Sequence, residues 1–344
     1  MRIAIVNDIA SVGSVQAAAL RAAGLEADLI EPARPGARIP YPWKAVTLPL
    51  RLAGLLAAAA RIRAGHYDLA HVHYARLGMV GPLAGLPYVL HCHGSDIRGV
   101  RPGSPWGLEI APFLRRASLV YYATPDLGPW VRAFRSDAVF LPNPIDTASF
   151  RPNGGQPDRD VLVGVRLDPI KGLDTIVELL GRLAGARPGT SVTIVDQGAG
   201  VARAVMAAGS DRLVVPRATR EALPGLFRRH RLAIGQFQVG AIGNYELEAM
   251  ACGLPVIADF RLAGAYDVAP PVAVATDAVT GAALAAELLE DDARRAEIAA
   301  AGVAWVEETH AAAAIARRLV AAYQSISPPG LRGRQPDPGR PPRP

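Results

Sequence analysis

Three groups of residues in this sequence have the types and spacing to do chemistry. The first is the segment Arg166-Leu167-Asp168-Pro169-Ile170-Lys171-Gly172, which carries two cations on one loop. A guanidinium grips a phosphate with parallel bonds and an ammonium adds a compact charge, so the pair suits a diphosphate; a surface turn with two solvated cations has the same look. The second is residues 235–258, GQFQVGAIGNYELEAMACGLPVIA. Gly240 and Gly243 free the backbone for close approach to a ligand, Asn244 suits a helix N-cap, and Glu246 and Glu248 fall in the first turns. Such a helix start beside a parallel sheet accepts an anion such as a nucleoside diphosphate, although an ordinary loop-helix-strand connection reads the same way. The third comprises His71-Val72-His73 and His91-Cys92-His93. On strands, this spacing turns both imidazoles of a pair to one face. A hydrolytic zinc would also need a carboxylate, for which Asp96 is available, and an open coordination position; spacing alone does not select a metal.

The elements that must position these residues alternate between strand and helix. Residues 3–6 and 27–30 read as strands flanking a helix at 14–23, and the intervening loop 7–13 lacks the G-x-G-x-x-G dinucleotide pattern. Residues 32–42 are rich in turn formers. Residues 43–63 form a mostly apolar helical stretch interrupted at Pro49, with Lys44, Arg51, Arg61 and Arg63. It reads as a core-facing, alanine-rich helix with a basic edge, or as a helix resting on a membrane surface. Short strands are expected at 119–123 and 139–141, with a helix start at Thr124-Pro125-Asp126-Leu127 between them. A second series opens with a strand at 161–165. Leu173, Ile176, Val177, Leu180 and Leu183 then keep helical spacing, and strands at 191–195 and 213–215 follow. Further helices are expected at 281–289, 293–307 and 311–323. Residues 152–160 read as a flexible linker, in which Asp158-Arg159-Asp160 is solvated charge.

Composition allows two α/β domains and little that is exotic. The chain has 344 residues, half of them hydrophobic, and a net charge of +6. Four arginines and one aspartate in residues 327–344 supply +3 of that charge, and seven prolines and three glycines mark this tail as disordered. The remainder is only mildly basic, and no basic-aromatic patch points to nucleic acid. Cys92 and Cys252 sit in apolar segments and need not pair, which suits a reducing compartment. Strand residues begin directly after Met1-Arg2, and no apolar run reaches membrane-spanning length, so the expectation is a cytoplasmic protein.

The run Glu248-Ala249-Met250-Ala251-Cys252-Gly253-Leu254-Pro255-Val256-Ile257 resembles the signature of the family 4 glycosyltransferases, retaining nucleotide-sugar enzymes of the GT-B fold. The resemblance extends from about residue 1 to about 325. It includes Ser11-Val12-Gly13-Ser14 in the first loop, His93-Gly94-Ser95-Asp96, and Leu141-Pro142-Asn143-Pro144-Ile145-Asp146 with Phe150 and Pro152. It continues through Arg166 to Lys171 followed by Gly-Leu-Asp, Asp196-Gln197-Gly198, and Thr219-Arg220-Glu221-Ala222-Leu223-Pro224.

The implied architecture is two Rossmann-like doubly wound domains facing a cleft. An acceptor-side domain would span 1–147, a linker 148–160 and a nucleotide-sugar domain 161–310. A terminal helix at 311–326 would return to the first domain, ahead of the tail at 327–344. The implied reaction moves a hexose or N-acetylhexosamine from a nucleoside diphosphate sugar to a hydroxyl acceptor (small molecule, lipid or glycan). It would proceed with retention and without metal or cofactor.

By the same resemblance, Arg166 and Lys171 hold the departing diphosphate and His93 faces the transferred sugar. Gly13, Gly240, Ala241, Ile242, Gly243, Asn244 and Glu248 line the donor site, with Glu248 on the ribose hydroxyls; Ser95 and Asp96 border the acceptor. His71 and His73 are expected to be strand residues satisfied by neighbouring backbone. The family places a first glutamate eight positions before the second, on the transferred sugar, and here that position is Gly240. Backbone amides of residues 241–243 could replace it, the donor could differ in shape, or the protein could bind nucleotide without turnover. Nucleic acid is not an expected partner; peripheral membrane contact through residues 43–63 is the alternative to the core-facing reading of that helix.

Overall fold

Alternating residues of the same strands enter different cores, and this period of two builds the molecule. The computed structural model describes residues 1–35 and 46–326. It divides into two units: among the described residues, 1–35, 46–123, 127–141 and 313–326 form the first, and 124–126 and 142–312 the second. The first contains strands β1 (Arg2–Val6), β2 (Glu26–Ile30), β3 (Leu69–His73), β4 (Tyr88–Cys92), β5 (Leu119–Tyr122) and β6 (Val139–Phe140). They form one parallel sheet in the order β2-β1-β3-β4-β5-β6. Ala4, Val6, Ala70 and Val72 pack with Ala58 and Ile62 of the helix Leu48–Ala64 and with Ile110 and Leu114 of the helix Pro105–Arg116. Ile3, Ile5, Leu69 and Val89 face the other way, against Ala17 and Leu20 of the helix Val12–Ala22 and Ile315, Leu319 and Tyr323 of the helix Ala312–Ile326. The terminal helix thus belongs to the first unit and roofs its sheet. A fully buried leucine such as Leu319 contributes roughly 1.5–3 kcal/mol.

The second unit repeats the plan with β7 (Arg159–Val163), β8 (Val192–Val195), β9 (Arg212–Val215), β10 (His230–Ile234), β11 (Val256–Ala258) and β12 (Ala273–Val274). The sheet is again parallel, in the order β12-β11-β10-β7-β8-β9. Val161, Val163, Ile194, Leu232 and Ile234 face the helices Leu173–Ala186 and Ala278–Glu290. Leu162, Ala233, Val256 and Ala258 face the helix Asn244–Ala251 and Trp305 and Val306 of the helix Asp292–His310. A parallel sheet covered on both faces needs strands that are apolar on both sides, which these sequences supply.

Several expectations shift in detail. The first helix begins at Val12 rather than residue 14, so Gly13 lies within its first turn. Pro49 opens the helix Leu48–Ala64 instead of interrupting it, because a proline in the first turn gives up a hydrogen bond that the helix would not make anyway. Trp43, Lys44 and the tail 327–344 lie outside the described residues. Asp158-Arg159-Asp160 is not free linker charge: Arg159 and Asp160 open β7. Asp160 accepts from the Ser191 amide at 2.9 Å, and Asp158 pairs with Arg229 at 2.7 Å. Among the described residues no helix is long and apolar enough to cross a membrane. Both cysteines are free and buried.

Candidate functional site

In the second unit the candidate residues gather where β7 and β10, neighbours in the sheet, end. The loop after β7 carries Arg166 and Lys171 and is shaped by Asp168, whose carboxylate accepts from the Lys171 amide at 3.2 Å and pairs with the Arg166 guanidinium. Gly172 follows with φ +83°, and a Cβ there would sit 2.8 Å from Cβ of Phe237, so only glycine lets this loop meet the one after β10. The two loops are tied by Phe237 N–H donating to the Lys171 carbonyl at 2.9 Å. As a result Lys171 Nζ lies 3.9 Å from the point where a Cβ on Gly243 would stand, at the start of the helix Asn244–Ala251. A cation and the positive end of a helix share one spot, which suits an anionic group; Glu246 Oε2, 3.2 Å from the same point, is the carboxylate the protein itself places there. Arg166 is exposed and turned to Asp168.

The glycine-rich loop is held differently from the expectation. Gly243, not Asn244, is the N-cap. Its amide donates to Glu246 Oε2 at 3.0 Å, while Glu246 Oε1 accepts from the Gln236 amide at 3.0 Å. The Gly243 amide is therefore occupied, and Glu246, fully buried, clamps the loop. Asn244 Oδ1 accepts from Asn143 Nδ2 at 2.8 Å. Ala241 and Ile242 are buried, Ile242 in the core, so they offer little surface to a sugar. Gly240 has φ +70° and lies under the guanidinium of Arg261.

Glu248 is 5% exposed and paired with Arg220 at 2.5 Å, and Arg220 in turn lies 4.8 Å over the Phe150 ring. Burial pushes the Glu248 carboxyl up from its ordinary range, and Arg220 pulls it part of the way back. Arg220 did not figure among the sequence candidates. Its only signal was a basic residue inside a segment read as the start of a short helix. A cavity of about 330 Å³ lies elsewhere on this unit, lined by Pro152, Phe227, His230, Cys252 and Val303, and touches none of the candidate residues.

In the first unit β3 and β4 pair in register with His73 opposite His91, which stacks four imidazoles. His93 Nε2 meets His73 Nδ1 at 2.8 Å. His71 is not satisfied by backbone as expected: Nδ1 meets the Tyr323 hydroxyl at 2.6 Å and the Gln16 amide at 3.1 Å, and Nε2 meets His91 Nδ1 at 3.4 Å. Burial lowers all four histidines, His73 to about 3, so the stack is neutral. Ring nitrogens of His71, His73 and His91 lie within 4.8 Å of one another, close enough to share an ion. These three are fully buried, however, and no open position faces solvent as hydrolysis requires. Asp96 cannot complete such a site, because its carboxylate accepts from the amides of Ala75, His93 and Gly94 at 2.7, 3.0 and 2.8 Å. The same bonds make Asp96 a brace for the His93 loop. Ser95 is exposed and within 3.2 Å of the Tyr74 hydroxyl. Gly13 is buried, and a Cβ there would meet the Asn7 carbonyl at 2.5 Å, a packing reason for glycine.

Two family models match this chain: Glycosyltransferase Family 4 over residues 16–149 and Glycosyl transferase-like over residues 195–321. D-inositol 3-phosphate glycosyltransferase of Salinispora tropica is 29% identical over 297 residues, covering 72% of this chain and 62% of that protein. The enzyme of the same name from Thermobispora bispora is 28% identical over 321 residues, covering 79% and 74%. The chain spans about three-fifths of the length of several curated relatives. Sucrose-phosphate synthase of Thermosynechococcus elongatus superposes with a TM-score of 0.72 at 18% identity, over 95% of this chain and 99% of that one. Anabaena HepE, solved in complex with UDP and glucose, gives 0.67 at 16% identity over 94% and 100%.

Proposed function

We propose, for a chain that belongs to the family 4 glycosyltransferases and has their GT-B fold, that it moves a hexose or N-acetylhexosamine from a nucleoside diphosphate sugar to a hydroxyl acceptor, with retention. The observation that carries this reading is the Lys171 ammonium held against Gly243 at a helix start. Expelling a nucleoside diphosphate builds negative charge on the leaving phosphate while positive charge grows at the anomeric carbon. A cation preset at the phosphate lowers that barrier because it needs no reorganisation when the charge appears. Lys171 takes this role, with Arg166 swinging from Asp168 to join it. Glu248 accepts the ribose hydroxyls, and His93 is assigned to the transferred sugar. For retention, the acceptor oxygen attacks the face that the diphosphate leaves, and the leaving phosphate oxygen takes the acceptor's proton; the bond to the sugar is exchanged and no metal enters the step.

The name of the relatives, the inositol 3-phosphate glycosyltransferases, supports a small polar acceptor, and the UDP bound by HepE supports a uridine donor. The helix Leu48–Ala64 exposes Leu48, Leu52 and Leu56 on one side with no acidic residue along its length, which supports peripheral contact with a membrane by a cytoplasmic protein. A second reading, nucleotide binding without turnover, is favoured by Gly240 alone. The test is incubation with uridine, guanosine and deoxythymidine diphosphate sugars, with and without chelator. Transfer or donor hydrolysis that survives chelation is expected. Loss on chelation would count against the metal-free step, and binding without turnover across donors and acceptors would select the second reading.

A further inference from the structure

We infer that the donor's sugar carries an anionic substituent, a carboxylate above all, and that Arg261 receives it. This rests on the glycosyl-transfer reading and narrows its substrate class. Ligands of open parallel sheets bind beyond the carboxyl ends of the strands, and at the ends of β7, β10 and β11, three neighbours in the sheet, the chain presents two cations along one loop. Lys171, following β7, sits at Gly243; Arg261, following β11, sits at Gly240, three residues upstream on the loop after β10.

The Arg261 position is built. With φ +70° and no side chain, Gly240 admits the guanidinium to 2.8 Å (Nε) and 3.2 Å (Nη2) of the point where a Cβ would stand. The Gly240 carbonyl accepts from the Arg261 amide at 3.1 Å, and Arg261 Nη2 donates to the Gln238 carbonyl at 2.9 Å. Nη2 also pairs with Asp259 at 3.0 Å. Asp259 is buried and offsets part of the charge. The Arg261 side chain is nevertheless 58% exposed, and its Nε and Nη1 donate to no described residue. An arginine anchored by one nitrogen presents the rest of its planar fork, the geometry that carboxylates match. The nearest carboxylate is Asp259, which is buried and already paired with Nη2, and Glu246 has both oxygens on backbone amides. Three residues span at most about 10 Å, so one donor molecule can meet both cations, diphosphate at Lys171 and sugar acid at Arg261.

The experiment compares dissociation constants of the full chain for three ligands of one base: the nucleoside diphosphate, its glucose ester and its glucuronate. Binding of the glucuronate roughly ten- to a hundredfold tighter than the glucose donor is expected. Arg261→Gln should bring that ratio to about one while leaving affinity for the bare diphosphate unchanged, and Arg261→Lys should keep part of it. A structural clamp would weaken all three ligands alike. Equal wild-type affinity for the two sugars overturns the inference and leaves the transfer reading standing; no binding of any diphosphate overturns both. Should Arg261→Gln fail to fold, the wild-type ratio decides.

Discussion

The two units share one architecture and arm it in opposite ways. In the first, the carboxyl ends of β3 and β4 carry four imidazoles that burial keeps neutral, bonded to one another and to the terminal helix. In the second, the segments that follow β7, β9, β10 and β11 carry charged groups in pairs: Arg166 with Asp168, Arg220 with Glu248, Arg261 with Asp259. Lys171 faces a helix start instead. The lesson is that a parallel sheet fixes where a site stands, while desolvation and local ion pairing fix whether that site handles neutral or charged groups.

The sharpest break in this contrast is Lys171→Ala, expected to lower kcat/KM by about 10²–10³-fold, in line with loss of one preset donor at a developing anion. Arg166→Ala should cost less, because its guanidinium must first leave Asp168; steady-state kinetics on the preferred donor ranks the two. An equal loss for both would erase the special place given to Lys171.

The neutral stack predicts acid sensitivity. A histidine whose folded value lies below its unfolded value of 6.5 contributes stability that is complete above that pH and is lost as pH falls toward the folded value, about 3 for His73. Between pH 7 and pH 5, each of His71, His73 and His91 should then cost about 2 kcal/mol. Urea unfolding at the two pH values measures this, with His73→Asn expected to remove about a third of the dependence. A stability independent of pH over that range would contradict the neutral, buried assignment.

The smallest effect concerns Glu248. Its carboxyl is raised, so ribose binding should weaken as pH falls from neutrality, at a pH above the ordinary carboxylate range. Removing the Arg220 counter-charge raises it further. Arg220→Ala should therefore raise the donor KM and move upward the pH below which binding weakens, as steady-state KM against pH would measure. A KM change that ignores pH would reduce Arg220 to a packing role.

Much of this was legible because it is local. Strand alternation, the glycine stops and the Arg166 to Lys171 loop are readable within a few residues, and the parallel two-unit fold follows from them. Even near misses were local: Asp277 and Asp291 cap the helices Ala278–Glu290 and Asp292–His310, at 2.8 Å each, a signal that was present in the sequence. By contrast, Glu246 looked like a favourable first-turn charge and proves to be the clamp of its loop, since its reach to the Gln236 amide depends on how β10 ends against the helix.

The chain's own pattern of apolar and polar residues determined the fold class, the layering and the place of the cationic loop, because burial and backbone preference act over a few residues at a time. Partnership was decided only by the assembled structure. Tyr323 meets His71 across 252 positions, Arg220 meets Glu248 across 28, and Arg261 covers Gly240 because β10 and β11 lie side by side. Which charge is quenched, which imidazole stays neutral and which cation faces a ligand depend on neighbours that no spacing in the sequence specifies.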